Sequence, residues 1–313
     1  MFNLQSSLPL RTTALSSEPV TIPLQEYKSE YPHNEGWNFV ANPFMSYFDI
    51  EHLDSDAPIL VSDRSSFRTL QAVSPLDDDF VLKPLQAFLV QRSSTQQQVV
   101  FHPEGRQPDF PKHQEATNNA RQLRRQALRQ SRVRYDATLL HQSQQGDTLL
   151  ARTRLVVTPR ATEGYDPGQD APFLTMDDSL TALYTRVNGL RYSLNEQPPT
   201  VTSVPLGMYL AQAGTYTLAV TVKGTPSNAN LRLLDRESGT ITEITSQPYT
   251  FTVDEPATLN HRFLLLLGDG ITDIEPVAVP TSPSEQLYDL QGRRISSPGR
   301  GLYIRGGKKY THY

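Results

Sequence analysis

The sequence predicts an all-β protein: two β-rich, sandwich-like domains, the second of jelly-roll or immunoglobulin-like type, and a short C-terminal hairpin tail. Short β-patterned segments recur at roughly ten-residue spacing between Gly, Pro, Asn and Asp turn signals, which is the rhythm of a sandwich. The 24 prolines among 313 residues work against a helical protein, because each removes a backbone donor and fixes φ. The clearest period-two alternation runs through residues 214–222, where Tyr216, Leu218, Val220 and Val222 share one face. Together these signals place the domains at 1–107 and 133–270. A basic linker or short helix takes 108–132, a second linker 271–285 and the tail 286–313.

The first domain opens with a Ser/Thr/Leu-rich stretch and a strand expected at 20–24. The Gly36 turn leads into Trp37, Phe39 and Ala41 alternating with Asn38, Val40 and Asn42, a strand that Asn42-Pro43 stops. Trp37, the only tryptophan, and Phe39 are expected in the core. Further short strands are expected at 57–61, 67–70, 75–80, 85–90 and 99–106. Residues 85–91 read as the most buried of these, with apolar side chains on both faces.

Residues 108–132 change character. Five arginines from Arg121 to Arg132 have only Ala and Leu as apolar partners and do not complete a helical stripe. The stretch also lacks the interleaved aromatics on which nucleic-acid bases stack. It is expected to be exposed, with no nucleic-acid partner. From Val133 the β rhythm resumes with strands at 133–140 and 152–158 and an insertion at 159–170. Segments follow at 171–175, 181–186, 190–194, 201–206, 208–211, 214–222, 231–234, 240–244, 249–253 and 262–267. Turn signals such as Asn188-Gly189 separate them. Prolines and acidic residues then break 271–286 into a linker.

Composition narrows the chemistry. A net charge of −4 directs no global field at nucleic acid or an anionic membrane. The longest apolar run, 263–267, is far too short to form a transmembrane helix. The absence of cysteine excludes disulfides, thiolate catalysis and Cys-ligated metals. None of the seven histidines has the helical His-x-x-x-His spacing of a zinc site, and no nucleophile elbow, P-loop or dinucleotide fingerprint is present. Carboxylates cluster at Asp54–Asp56, Asp77–Asp79 and Asp177–Asp178. Close approach in a cleft would be needed for glycoside hydrolysis, and an alternating acidic loop for calcium. Solvated turns are expected instead, with no catalytic residue, metal or cofactor. Tyr165, Tyr184, Tyr192 and Tyr209 would make a sugar-stacking platform if exposed in one plane, although tyrosines in strands are ordinarily half-buried.

The tail carries the most specific signal. Tyr288, Asp289, Gly292, Arg293, Gly301, Tyr303, Gly307 and Lys308 fall within the string YDLQGRR…GLYIRGGKK. That string resembles the C-terminal segment of many secreted and surface proteins of the Bacteroidota, related to the sorting domains of type IX secretion. The stretch GWNFVANPF…YFDI, with Ala41 and Phe44 where Gly and Tyr are usual, is similar to a module of the same proteins. The resemblance implies a secreted or outer-surface, non-enzymatic β-sandwich region, the C-terminal part of a larger protein, serving presentation, anchoring or adhesion. The implied partners are the secretion or attachment machinery, engaged through the tail, and a glycan or host-protein ligand. A carbohydrate-binding module and an uncharacterised hydrolase are the alternatives. Asp147-Thr148-Leu149 and Asp178-Ser179-Leu180 resemble the O-glycosylation pattern of exported Bacteroidota proteins, which makes Thr148 and Ser179 candidate acceptors.

Overall fold

Proline-rich, turn-punctuated sequence leaves little room for helix, and the long elements are all strands. The computed structural model describes residues 17–30, 32–55, 57–62, 70–75, 80–107, 132–143, 146–174, 179–224, 230–268, 287–288, 294–295, 301–305 and 308–312. The helices among these are single 3₁₀ turns. The chain divides into two compact units, Met1–Gly268 and Asp269–Tyr313.

The first part of the larger unit contains β1 (Val20–Pro23), β2 (Trp37–Ala41), β3 (Tyr47–Asp49), β4 (Leu53–Asp54) and β5 (Ile59–Ser62). It continues with β6 (Leu70–Val73), β7 (Val81–Leu82), β8 (Ala87–Gln91), β9 (Gln98–Phe101) and β10 (Arg106–Gln107). They pair as β1-β9-β4, β10-β3-β7 and β2-β8-β5-β6. An aromatic pile lies at the centre: the Phe48 and Phe101 rings meet at 5.0 Å, with Phe44 and Phe88 against them. Ile50, Leu53, Ile59 and Val90 complete this core, each such burial stabilising the fold by about 1.5–3 kcal/mol.

Strand β2 inverts the expected facing. Val40 and Asn38 point inward, whereas Phe39 is 77% exposed. Asn38 is tolerated inside because its side chain is satisfied: Nδ2 donates to the carbonyls of Gln25 and Gly36, and Oδ1 accepts from the Gln25 amide. Trp37 is half-buried, its Nε1 donating to the His33 carbonyl. At the start of the 85–91 stretch, Leu85 is 56% exposed and has φ 58. Burial begins only at Phe88, because the chain turns through residues 83–86 before entering β8.

The second part contains β11 (Val133–Ser143), β12 (Gly146–Val157), β13 (Ala171–Pro172), β14 (Ala182–Val187), β15 (Leu190–Gln197) and β16 (Ser203–Leu210). It ends with β17 (Gly214–Gly224), β18 (Leu231–Asp235), β19 (Thr240–Glu243), β20 (Tyr249–Val253) and β21 (Ala257–Leu267). All join one eleven-stranded sheet, ordered β19-β18-β21-β16-β14-β15-β12-β11-β17-β20 with β13 beside β15. Its pairs are antiparallel except β12 with β15, which run parallel. The sheet curls until its two ends face each other, so that Phe251 of β20 meets Phe263 of β21 at 4.9 Å. This is the sandwich-like core: Tyr216, Leu218 and Val220 are buried in it as their alternation predicts, with Leu183, Leu206, Met208 and Leu265.

The insertion at 159–170 acts as a clasp between the two parts. Tyr165 Oη donates to Gln91 Oε1 at 2.6 Å, and the Gly168 amide donates to the same oxygen at 3.2 Å. Buried Asp170 holds the clasp in shape by accepting from the amides of Asp166 and Glu196. Beside it, a third apolar cluster joins Leu60, Ala72 and Leu89 of the first part to Ala171 and Leu194 of the second.

Most of the arginine-rich stretch, residues 108–131, lies outside the described residues. Its last member departs from the expected exposure. Arg132 is only 3% exposed and its Nη2 donates to Glu196 Oε1 at 2.6 Å. The acceptor is supplied by β15, which lies two strands from β11 with β12 between them, and a guanidinium paired in this way can be buried.

The smaller unit is a four-stranded antiparallel sheet of β22 (Leu287–Tyr288), β23 (Arg294–Ile295), β24 (Gly301–Arg305) and β25 (Lys308–His312), in the order β23-β22-β24-β25.

Candidate functional site

The β14–β15 hairpin begins with a sequence rule. Asn188 and Gly189 both have positive φ, 49° and 83°, the conformation of a two-residue type I′ turn, whose twist suits a hairpin. Such a turn fixes the register: Val187 opposes Leu190, and Arg186 opposes Arg191. Period-two alternation then puts Ala182, Tyr184 and Arg186 on the outer face, while Leu183 enters the core.

The next two strands complete that face. Gly207 of β16 lies opposite Tyr184, Tyr209 opposite Ala182, and Thr258 of β21 opposite Tyr209. Between β16 and β21 the register breaks: Leu206 pairs with Phe263 and Met208 with Leu259, so residues 260–262 bulge against Gly207 alone. The sequence suggests two strands, 201–206 and 208–211, where the structure has one, because Gly207 serves close approach rather than a turn. A Cβ on Gly207 would lie 2.3 Å from Tyr184 Cε2, so the tyrosine ring covers the glycine backbone. The bulge presents Asn260: its Oδ1 accepts from Tyr184 Oη, and its carbonyl from Arg186 Nη1, both at 2.9 Å.

Arg191 is held by rings. Its guanidinium carbon lies 5.5 Å from the centroid of Phe173 and 5.3 Å from that of Tyr184. The two rings are themselves 5.3 Å apart. These contacts are cation–π interactions, and the Phe173 amide donates to the Arg191 carbonyl at 2.8 Å. The result is an open cleft of ≈ 460 Å³ lined by Phe173, Tyr184, Arg186, Arg191, Tyr209 and Asn260, among others. Among the described residues that line it there is no Asp or Glu. Like charges directly opposed across an antiparallel pair are destabilising, on the order of 0.2–1 kcal/mol, so the Arg186/Arg191 pair is a local electrostatic debt.

Several carboxylates elsewhere are held by structural partners. Asp235 is fully buried; it accepts from Nε and Nη2 of Arg262 and from Tyr249 Oη. Burial alone would raise its pKa, yet the hydrogen bonds from Arg262, Tyr249 and the Glu237 amide hold it below the usual carboxylate range. Asp136 is similarly lowered, burial being outweighed by Arg134 and Arg154. Asp170 goes the other way: burial, with the charges of Glu196 and Asp166 adding to it, pushes it well above that range despite its amide donors. No group of three or more potential metal-ligating side chains occurs among the described residues.

The candidate residues named from sequence are distributed as follows. The four tyrosines split into two pairs instead of sharing a plane. Tyr184 and Tyr209 line the cleft, whereas Tyr165 and Tyr192 meet in the clasp region at 6.1 Å. Tyr184 and Tyr192 are buried. In the tail sheet Tyr288 pairs with Ile304, Gly301 with His312, Tyr303 with Tyr310 and Lys308 with Arg305. Asp289, Gly292, Arg293 and Gly307 lie outside the described residues, as do Asp77–Asp79 and Asp177–Asp178. Thr148 is exposed on β12 and Ser179 is exposed before β14. Phe173, Arg186, Arg191 and Asn260 were not singled out by the sequence. The signal for the arginine pair was present all the same: an Asn-Gly turn with an arginine two residues to either side of it places those arginines opposite each other.

No curated protein and no solved structure matches the chain. A family model described as a domain of unknown function, DUF8693, matches residues 60–267. That span runs from within β5 to the end of β21 and holds the clasp, the third cluster's Leu60 and Leu194, and every residue of the cleft. The chain therefore belongs to the DUF8693 family, and its cleft is built wholly within the family's matched span.

Proposed function

We propose that this chain is a non-enzymatic region of a secreted or outer-surface protein, in which the larger unit presents a binding surface and the terminal unit carries the sorting or anchoring instruction. The observation that carries this reading is the division of the chain at Gly268. Residues 269–313, which include the tail motif, form a compact unit with its own four-stranded sheet. A recognition element that is structurally separate can be handled by an export partner without disturbing its passenger. The resemblance of the YDLQGRR…GLYIRGGKK string to type IX sorting segments gives the direction of the proposal.

Within this reading the larger unit binds rather than hydrolyses. Support comes from the cleft, whose described lining residues bring two guanidinium groups and no carboxylate, whereas glycoside hydrolysis calls for a pair of carboxyl groups. The test is deletion of residues 286–313 in a native host. Surface display is expected to be lost while the melting temperature of the purified protein stays the same. Unchanged display, or a collapse of the melting temperature, overturns the proposal.

A further inference from the structure

We infer that the cleft on the outer face of β14, β15, β16 and β21 is a binding site for a saccharide bearing a carboxylate, with Arg186 and Arg191 gripping the acidic group. The argument starts from the electrostatic cost. Arg186 and Arg191 stand directly opposite each other across the hairpin, and the described residues that line the cleft include no acid. Arg186 makes a hydrogen bond to the Asn260 carbonyl, which positions the group but leaves its charge uncompensated. An anion between the two guanidinium groups removes the repulsion, and a carboxylate matches the planar donor fork.

Arg191 is prepared for that task. Phe173 and Tyr184 lie against its guanidinium, and stacking of this kind engages the flat faces while the in-plane N–H groups stay available at the edge. The group is thus oriented in advance, and less conformational freedom is lost on binding. The bulge and Gly207 exist to hold the same constellation, since they seat the Tyr184 ring and bring Asn260 to it.

The neutral lining points to a sugar rather than to a bare anion. The Tyr209 ring, the Thr258 hydroxyl and the Asn260 amide border the cleft. They offer an apolar face and uncharged donors and acceptors, which suit a hydroxylated ring. The cleft volume of ≈ 460 Å³ falls within the range of small-molecule sites, roughly 300–1,000 Å³.

The ligand class rests on reading the larger unit as a binding region, but it is tested on purified protein. Its failure is therefore separable from the outcome of the display experiment. Trigalacturonic acid is titrated by calorimetry against maltotriose and inorganic phosphate. The acidic trisaccharide is expected to bind, and to bind more weakly as salt is raised. Arg191→Gln and Arg186→Gln are each expected to weaken it by on the order of ten- to a hundredfold. Arg191→Lys, which keeps the charge and loses the fork, should also weaken it. Should a variant fail to fold, arginine side-chain NMR of the unaltered protein gives the same answer. The Nε–H signals of Arg186 and Arg191 should move with trigalacturonic acid and stay put with maltotriose. Failure of the acidic trisaccharide to bind, equal binding of the neutral one, or phosphate binding as tightly as the trisaccharide overturns the assignment.

Discussion

Phe39 and Phe48 are the same residue type in opposite circumstances, one 77% exposed and the other fully buried among Phe44, Phe101 and the β8 side chains. Phe48→Ala is expected to cost about 3–5 kcal/mol, whereas Phe39→Ala should fall within about 0.5 kcal/mol of the parent. Urea denaturation of the two variants measures this difference. The facing of β2 was hard to read because Trp-Asn-Phe-Val-Ala alternates equally well either way. The deciding fact is the set of bonds that lets Asn38 sit inside, and those partners come from Gln25 and Gly36. The buried acids make pH a second probe at this scale. The lowered pKa values of Asp235 and Asp136 mean that their contribution is present above the ordinary carboxylate value of about 3.9 and is lost as pH falls through their lower folded values. Asp170 has a raised value, so its contribution is present below about 3.9 and fades as pH rises through the folded value. The stability difference between parent and Asp235→Asn should therefore shrink in acid. That between parent and Asp170→Asn should shrink as pH rises, both followed by urea unfolding across a pH series.

The β14–β15 hairpin and the β21 bulge are two elements with different legibility. The hairpin could be read from Asn188-Gly189, because positive φ at two consecutive residues is a local demand that the sequence must meet locally. The bulge could not. It depends on which strand β16 meets, with Leu206 pairing to Phe263 and Met208 to Leu259 far along the chain, and a lone glycine gives the same signal at a turn as at a close approach. The same limit explains the tyrosines: all four sit in strands or at the clasp, but only strand order decides which pair shares a surface. Gly207→Ala tests what the bulge region does. The added methyl would lie 2.3 Å from Tyr184 Cε2, so the ring must move and release Arg191 from one of its two stacking partners. A loss of about 1–3 kcal/mol is expected, together with weakened binding of the acidic trisaccharide. Thermal unfolding and calorimetry on the one variant check both effects.

On the scale of the whole molecule, the clasp and the third cluster tie the β2-β8-β5-β6 sheet of the first part to the large sheet. Residues 1–268 are accordingly expected to unfold in a single cooperative transition by calorimetry, and removal of 269–313 should leave its midpoint in place. Tyr165→Phe, which deprives Gln91 Oε1 of a donor, should lower the midpoint, with an expected loss of about 1–3 kcal/mol. The all-β class was legible in turn spacing and proline content, and the sandwich-like core in the 214–222 alternation. The joining of the two parts was not, because Gln91 and Tyr165 are far apart in sequence and neither belongs to a recognisable motif. The curl of the large sheet has one further consequence, in time rather than in space. β21 lies between β16 and β18, and its Phe263 closes against β20, so the core cannot be sealed until residue 267 has been synthesised. Pairings this distant are slow to form, and a chain emerging from its amino terminus would stay open until almost all of the larger unit had been made.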